Sequence, residues 1–442
     1  MNDRLLQKNS SIICFSVLFI LLLSSCKVAQ QTQVNQSTKP AFLDSAIFAP
    51  AHVGIAVYEP ATNTYLYNYQ AEKYFIPASN TKIFTCYAAM KHLGDSLVGL
   101  LYNEDDGEYT VQFTGDPTLL HSDFKVHPVI QFFQKNKNVT VVKSNWKDER
   151  WGNGWAWNDF DADYMAERSA APIYGNVVNF SKKGNQINVF PKLFKDSLTL
   201  YGNVQTGNFS IDRSFNNNNF LLKNGKRKFS NTEIPFVTSE ALSVALLEDT
   251  LLNTINYLDV ETVSQANWKK CYSQPTDSML KPMMHRSDNF YAEQGLLMVG
   301  QALSGELNDA KTIDSLMKTD FANMPNKPRW VDGSGLSRYN LISPMDFVWV
   351  LNKMKQEINW NRITAIFPTG NTGTLNGYYK NYVGKIYAKT GTLSNHVALS
   401  GFIKTNSGKE LIFSVLVNSH QTAASNIRRA VEAFLTDIIE KN

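Results

Sequence analysis

Three short stretches of this 442-residue chain carry side chains that could do nucleophilic chemistry together. The first is Ser79-Asn80-Thr81-Lys82. On a helix, residues three apart share a face, so the hydroxyl and the amine can meet. A serine hydroxyl is a poor nucleophile until a base takes its proton. A lysine amine can be that base once burial or a neighbouring positive charge lowers its pKa. Ser79 would also stand at the positive end of its helix, which favours an alkoxide-like transition state. The second stretch is Ser287-Asp288-Asn289. Its hydroxyl could relay a proton to a leaving amine, and the Asn289 amide could hold a substrate carbonyl or the lysine. The third is Lys389-Thr390-Gly391-Thr392. Gly391 would let a ligand approach a strand edge, and a substrate backbone could add alongside it. Lys389 and a threonine hydroxyl suit a carboxylate.

Taken singly, each stretch has a plain structural explanation. Ser-x-x-Lys also begins at Ser122, Ser144, Ser278 and Ser315, and Ser-x-Asn at Ser214. Ser, Asp and Asn are also ordinary helix-start residues. The local elements set the three stretches apart. Residues 53–58 and 65–69 are β-rich and flank the turn Pro60-Ala61-Thr62-Asn63, which predicts a hairpin. Ile83, Phe84, Tyr87, Ala88, Met90 and Leu93 give the segment after Ser79 an apolar face at helical spacing. Residues 98–266 alternate short strand-like runs (109–113, 139–142, 186–190, 209–211) with turn residues, and helices return near Pro282. Residues 385–389, 396–404 and 411–417 read as successive strands, and 423–439 as an amphipathic closing helix. Strands at both chain ends with helices between them predict an α+β fold: one antiparallel sheet built from both termini, a helical subdomain beside it, and a large β-rich insertion.

Composition narrows the function classes. With 43% hydrophobic and 19% charged residues the chain is too apolar for disorder. A net charge of +4 gives no electrostatic case for nucleic acid as a partner. None of the four cysteines forms a Cys-x-x-Cys pair and no His-Glu-x-x-His occurs, so the residues predict neither a metal nor a cofactor. Arg4 and Lys8 precede an apolar run over residues 12–23, too short to span a bilayer and shaped like a secretory signal. Leu23-Ser24-Ser25-Cys26 ends the run in the manner of a bacterial lipobox, which makes Cys26 the candidate for lipidation. The polar residues 27–40 read as a tether. The expected organisation is a signal at 1–25, a tether at 26–40, a catalytic domain from 41–97 and 275–442, and an insertion at 98–274 of two subdomains. The product would be an exported, periplasmic lipoprotein held to a membrane by acyl chains. Export leaves Cys86 and Cys271 as the one pair able to form a disulfide, or Cys86 as a small buried residue in an apolar helix.

Ser-x-x-Lys, Ser-x-Asn and Lys-Thr-Gly, in this order and in suitable local structure, form the signature of penicillin-recognising serine enzymes. The chain resembles one branch, the low-molecular-mass class C penicillin-binding proteins, which are D-alanyl-D-alanine carboxypeptidases and endopeptidases. The resemblance rests on Ile76-Pro77-Ala78-Ser79-Asn80-Thr81-Lys82, Gly115-Asp116-Pro117-Thr118-Leu119, Asp332-Gly333-Ser334-Gly335-Leu336-Ser337-Arg338 and Ala388-Lys389-Thr390-Gly391-Thr392-Leu393. The 207 positions between Lys82 and Asn289 match the family's long insertion. The resemblance implies peptidoglycan peptides as substrate, β-lactams as covalent ligands and no cofactor. Ser79 would be the nucleophile, Lys82 its base and Ser287 the proton relay, with Asn289 and Lys389 completing the machinery. The N–H groups of Ser79 and Thr392 would form an oxyanion hole. Lys389, Thr390 and Thr392 would hold the terminal carboxylate. Asp159, in Trp157-Asn158-Asp159, and Arg338 would meet the two charges of a diaminopimelate side chain. Ser394 stands where some relatives carry a Gln.

Two rivals share the motifs. A serine β-lactamase needs a Glu-x-x-Leu-Asn segment soon after Ser-Asp-Asn, and none is present. A non-catalytic peptidoglycan-binding lipoprotein of the same fold would be expected to carry a damaged motif, and all three are intact. An α/β-hydrolase esterase would show Gly-x-Ser-x-Gly, which is absent.

Overall fold

The hairpin and the three C-terminal strands join in one five-stranded antiparallel sheet. This is seen in a computed structural model that describes residues 39–183, 186–201, 209–223, 231–261 and 267–442. Cys26 and the signal-like run lie outside the described residues. The strand order is Ile386–Leu393, His396–Lys404, Glu410–Asn418, His52–Glu59, Thr64–Tyr69. His52–Glu59 pairs with Glu410–Asn418, Val57 standing opposite Phe413, so the two distant parts of the chain close the sheet together. Period-two alternation divides the strands between two cores. Ile55, Val57, Leu399, Val415 and Val417 pack under the closing helix Ala424–Lys441. Ala56, Tyr58, Ala398, Phe402 and Leu416 face the helical layer. Six consecutive buried residues in His52–Glu59 follow from this covering of both faces.

The helical layer holds Lys82–His92, Thr276–His285, Asn289–Ser304, Pro344–Glu357 and Trp360–Ile366. The expected single apolar face of the helix after Ser79 is wider than its spacing predicted, since every residue from Lys82 to Met90 is buried. This helix runs through the middle of the layer and has no solvent side.

The chain leaves this unit at Ser96–Asp105 and returns at Lys269–Pro275. These two strands pair with each other, Ser96 opposite Pro275. They form one side of a five-stranded sheet, whose other three strands lie between them in the chain together with two three-stranded sheets and a shared core that includes Leu100, Val141, Phe180, Phe220 and Leu247. The region is not purely strands and turns. Pro128–Lys135 and Glu240–Leu251 are helices, the second capped by the Ser239 hydroxyl accepting from the Leu242 N–H. Cys86 is buried in the helical layer, Cys271 packs against the core of the inserted sheets, and both are free thiols.

Candidate active site

The nucleophile segment begins with a strained turn. Ala78 has φ +48°, Ala78–Thr81 forms a 3-10 turn, and the α-helix starts at Lys82. Ser79 stays partly exposed while Lys82 is fully buried. The Lys82 Nζ lies 3.1 Å from Ser79 Oγ, 2.6 Å from Asn289 Oδ1 and 2.7 Å from the Ser334 carbonyl oxygen. An ammonium donates to all three. A neutral amine keeps two N–H bonds, enough for Asn289 and Ser334, and turns its lone pair toward the Ser79 hydroxyl. The site thus holds the amine in the orientation that a general base needs. Burial lowers the Lys82 pKa to about 8, against the opposing pull of Asp332, Glu293 and Asp288.

Asp288 caps the helix Asn289–Ser304 by accepting from the Tyr291 N–H. Ser287, just before the cap, has φ +64°. Its hydroxyl lies 2.8 Å from the Lys389 Nζ, which also donates to the Thr390 carbonyl. Lys389 is fully buried, and burial followed by the nearby Lys82 charge holds its pKa well below the ordinary lysine value. The three stretches therefore converge through three contacts, Lys82 with Ser79, Lys82 with Asn289, and Lys389 with Ser287.

Lys389 projects from Ile386–Leu393, an edge strand of the five-stranded sheet. The Ala388 N–H points away from the sheet and donates to the Pro368 carbonyl. Two-residue alternation then turns the N–H and C=O of Thr390 and Thr392 to the same open side. Gly391 also makes room within the protein itself. A Cβ there would lie 2.6 Å from the Pro77 carbonyl oxygen, so its bareness lets the edge strand close on the nucleophile turn.

The loop at residues 332–338 is the support that motif reading named without explaining. The buried Asp332 carboxylate accepts from the Trp155 indole, the Gly335 and Ser337 N–H groups and the Asn340 amide. This folds the loop so that the Ser334 carbonyl reaches Lys82. Gly335 has φ +85°, and a Cβ there would lie 2.0 Å from the Ala78 carbonyl oxygen. Glu293, one turn after Asn289 on the same helix, accepts from the Ser334 N–H at 2.7 Å and shares the neighbourhood of the buried Arg168. Burial raises the Glu293 pKa to about 8. Sequence reasoning missed Glu293, although its spacing of four from Asn289 places it on the same helix face. It also missed Arg428 of the closing helix, whose guanidinium donates to Thr392 Oγ1 at 2.7 Å.

Asp159 and Arg338 do not form an ion pair among the described residues. Both act on Tyr164: burial raises its phenol pKa to about 12, the Asp159 carboxylate adds to the rise and the Arg338 charge opposes it. The Tyr164 carbonyl accepts from the Asn289 amide at 2.9 Å, which ties this flank to the centre of the site. Among the described residues no group of three or more His, Cys, Asp and Glu side chains could hold a metal ion.

Residues 40–438 match the model of the D-Ala-D-Ala carboxypeptidase 3 (S13) family. D-alanyl-D-alanine carboxypeptidase DacB of Haemophilus influenzae is 24% identical over 420 residues, covering 84% of this chain and 86% of that protein. A D-alanyl-D-alanine carboxypeptidase of Actinomadura sp. is 24% identical across 91% of this chain and 84% of its own length. The crystal structure of penicillin binding protein 4 from Haemophilus influenzae superposes with a TM-score of 0.72 at 22% identity, covering 89% of this chain and 97% of that one. With the family model spanning nearly all the described residues, the chain belongs to the D-Ala-D-Ala carboxypeptidase 3 (S13) family.

Proposed function

We propose that the protein is a serine-type D-alanyl-D-alanine carboxypeptidase and endopeptidase, with Ser79 as nucleophile. The observation that carries the reading is the Lys82 amine, buried and aimed at Ser79 Oγ by Asn289 and the Ser334 carbonyl. Ser79 Oγ attacks the carbonyl carbon between two D-alanines while its proton passes to Lys82 Nζ. The Ser79 and Thr392 N–H groups meet the developing oxyanion. The Ser287 hydroxyl relays the proton that Lys82 took up to the departing amine, which returns Lys82 to its neutral form, while Lys389 keeps its proton. The C–N bond breaks, leaving an acyl ester on Ser79 and free D-alanine. Water cleaves the ester and restores the serine. The same steps cut a cross-link when the leaving amine belongs to a second stem peptide, and they open a β-lactam ring to a penicilloyl ester.

Lys389, Thr390 and Thr392 take the substrate's terminal carboxylate on the open strand edge, which Gly391 seats against the nucleophile turn. Asp159 and Arg338, whose charges both reach the Tyr164 phenol, take the amino and carboxylate ends of a zwitterionic side chain three residues from the peptide's end. Residues 98–274 form an inserted unit apart from the catalytic one, a division supported by the pairing of Ser96 with Pro275. Cys26 carries a lipid after removal of residues 1–25, so the enzyme works outside the cytoplasm, tethered to a membrane. Support for this comes from the basic residues, the short apolar run and the Leu23-Ser24-Ser25-Cys26 ending. Among the described residues no helix is long and apolar enough to cross a membrane.

The test is mass spectrometry of peptidoglycan fragments before and after incubation, with fluorescent penicillin labelling in parallel. Loss of a terminal D-alanine or of cross-links, together with a long-lived adduct on Ser79, is the expected result. Ser79→Ala should abolish both in a folded protein. D-alanine release that persists in Ser79→Ala would refute the nucleophile, and rapid penicillin turnover would favour a β-lactamase.

A further inference from the structure

The strand that carries Lys389 offers its two faces to different partners. Lys389 projects toward Ser287 and the helical layer. Ala388 packs in the core beneath the closing helix, so Thr390 and Thr392, two and four residues on, turn their side chains to that helix. Thr390 lines a narrow slot there together with Thr374, Leu399, Val431 and Arg428. At its mouth Arg428, half-buried, donates to the hydroxyl of the exposed Thr392.

Arg428 has the features of a group kept for an anion. Its neighbour Arg429 is paired with Glu432, whereas Arg428 has no acidic partner among the described residues. A guanidinium has five N–H donors, and one of them accounts for Thr392. The bond also sets the direction of the threonine. Its oxygen accepts from Arg428, so its own proton is free to point outward to an acceptor. A carboxylate bound by that proton would lie beside the remaining N–H groups of the guanidinium, in reach of a charge-assisted hydrogen bond.

We propose that Arg428 is a specificity-determining residue that, with Thr392, recognises the free carboxylate on the residue carrying the leaving amine. This rests on the carboxypeptidase reading above and deepens it. A peptide ending in D-alanine carries that carboxylate. So does a cross-linked stem peptide whose leaving residue is a free α-amino acid. A C-terminal amide lacks the charge and should be discriminated against.

The test gives the full-length wild type, Arg428→Gln and Arg428→Lys a stem pentapeptide ending in D-alanyl-D-alanine and the same peptide ending in an amide. Release of D-alanine or D-alaninamide is followed as kcat and KM. The wild type should prefer the acid. Arg428→Gln should lose roughly tenfold of that preference, the discount from a fully buried ion pair reflecting partial exposure, and the loss should appear in KM. Arg428→Lys should recover part of it. An acid-to-amide ratio unchanged in Arg428→Gln overturns the assignment, as does an equal loss on both substrates with a lowered melting temperature. Penicillin labelling of Ser79 in the wild type separates the two levels. If labelling and D-alanine release occur but the ratio does not move, only the role of Arg428 falls. If neither occurs, the carboxypeptidase reading falls with it.

Discussion

The pH dependence of acylation tests the role of Lys82 most directly. With a pKa of about 8, roughly a tenth of the Lys82 side chains are neutral at about pH 7. A lysine at the ordinary value of 10.5 would be neutral about 300-fold less often. Burial therefore supplies a factor of hundreds in available base. Charge gained on protonation removes activity, so the sign is fixed. Acylation should climb about tenfold per pH unit below 8 and level off above it. The assay is the second-order rate of fluorescent penicillin labelling across that range, with the adduct mapped to Ser79. Lys82→Arg keeps a cation and its donors but cannot give up a proton. Labelling should fall by about a thousandfold, the size of a lost general base. A flat profile from pH 6 to 9 (about two units below and one above the Lys82 value) would refute the base assignment. So would an Arg variant, folded by circular dichroism, that still labels at near the wild-type rate.

Two more outcomes follow from the geometry. Ser287→Ala removes the acceptor of the Lys389 bond and, in the proposed mechanism, the proton relay. D-alanine release should drop by about a hundredfold or more, and penicillin acylation by less, since a β-lactam's leaving nitrogen stays tethered after ring opening. Paired rate measurements on the two substrates check this. Gly335→Ala puts a Cβ 2.0 Å from the Ala78 carbonyl oxygen at a positive φ. It should destabilise the fold by roughly 2–4 kcal/mol and slow acylation as well, read by thermal melting and labelling of the surviving folded fraction.

Lys82 and Lys389 also couple folding to pH. Both have folded pKa values lowered by burial, so the unfolded chain binds more protons in the window between the folded and ordinary values. Their contribution to stability should grow as pH rises from about 8 toward 10.5, the interval defined by Lys82. The melting temperature of the wild type should rise relative to that of Lys82→Met across that interval. Parallel curves would contradict the depressed lysine.

Much of the catalytic unit was legible because its signals are local. The hairpin could be read from two β-rich runs about a turn, and the C-terminal strands from their spacing. The closing helix followed from its apolar periodicity, observed at Ala424–Lys441. The inserted region was harder. Glu240–Leu251 has a good serine cap, but it lies among short strands and turn residues that pulled the reading toward β structure. The helix after Ser79 is legible from its apolar spacing, but its α-helical part begins at Lys82, after a 3-10 turn that holds Ser79, and its spacing predicts one apolar face. Only its central position explains why all of Lys82 to Met90 is buried.

The sequence by itself determined which functional groups are present and in what order: a serine with a lysine three positions on, a second serine with an asparagine, and a lysine on a strand. These are covalent and near-neighbour facts. Tertiary structure alone decided what those groups can do. The Lys82 pKa is set by burial and by Asp332, Glu293 and Asp288, none of them within 200 positions of it. Its orientation comes from a carbonyl 252 positions away. The strand glycine spares room for the turn that holds Ser79, and the arginine that bonds Thr392 arrives on the last helix. Desolvation and electrostatics act through space, so their values depend on packing between segments whose separation along the chain gives no measure of their distance.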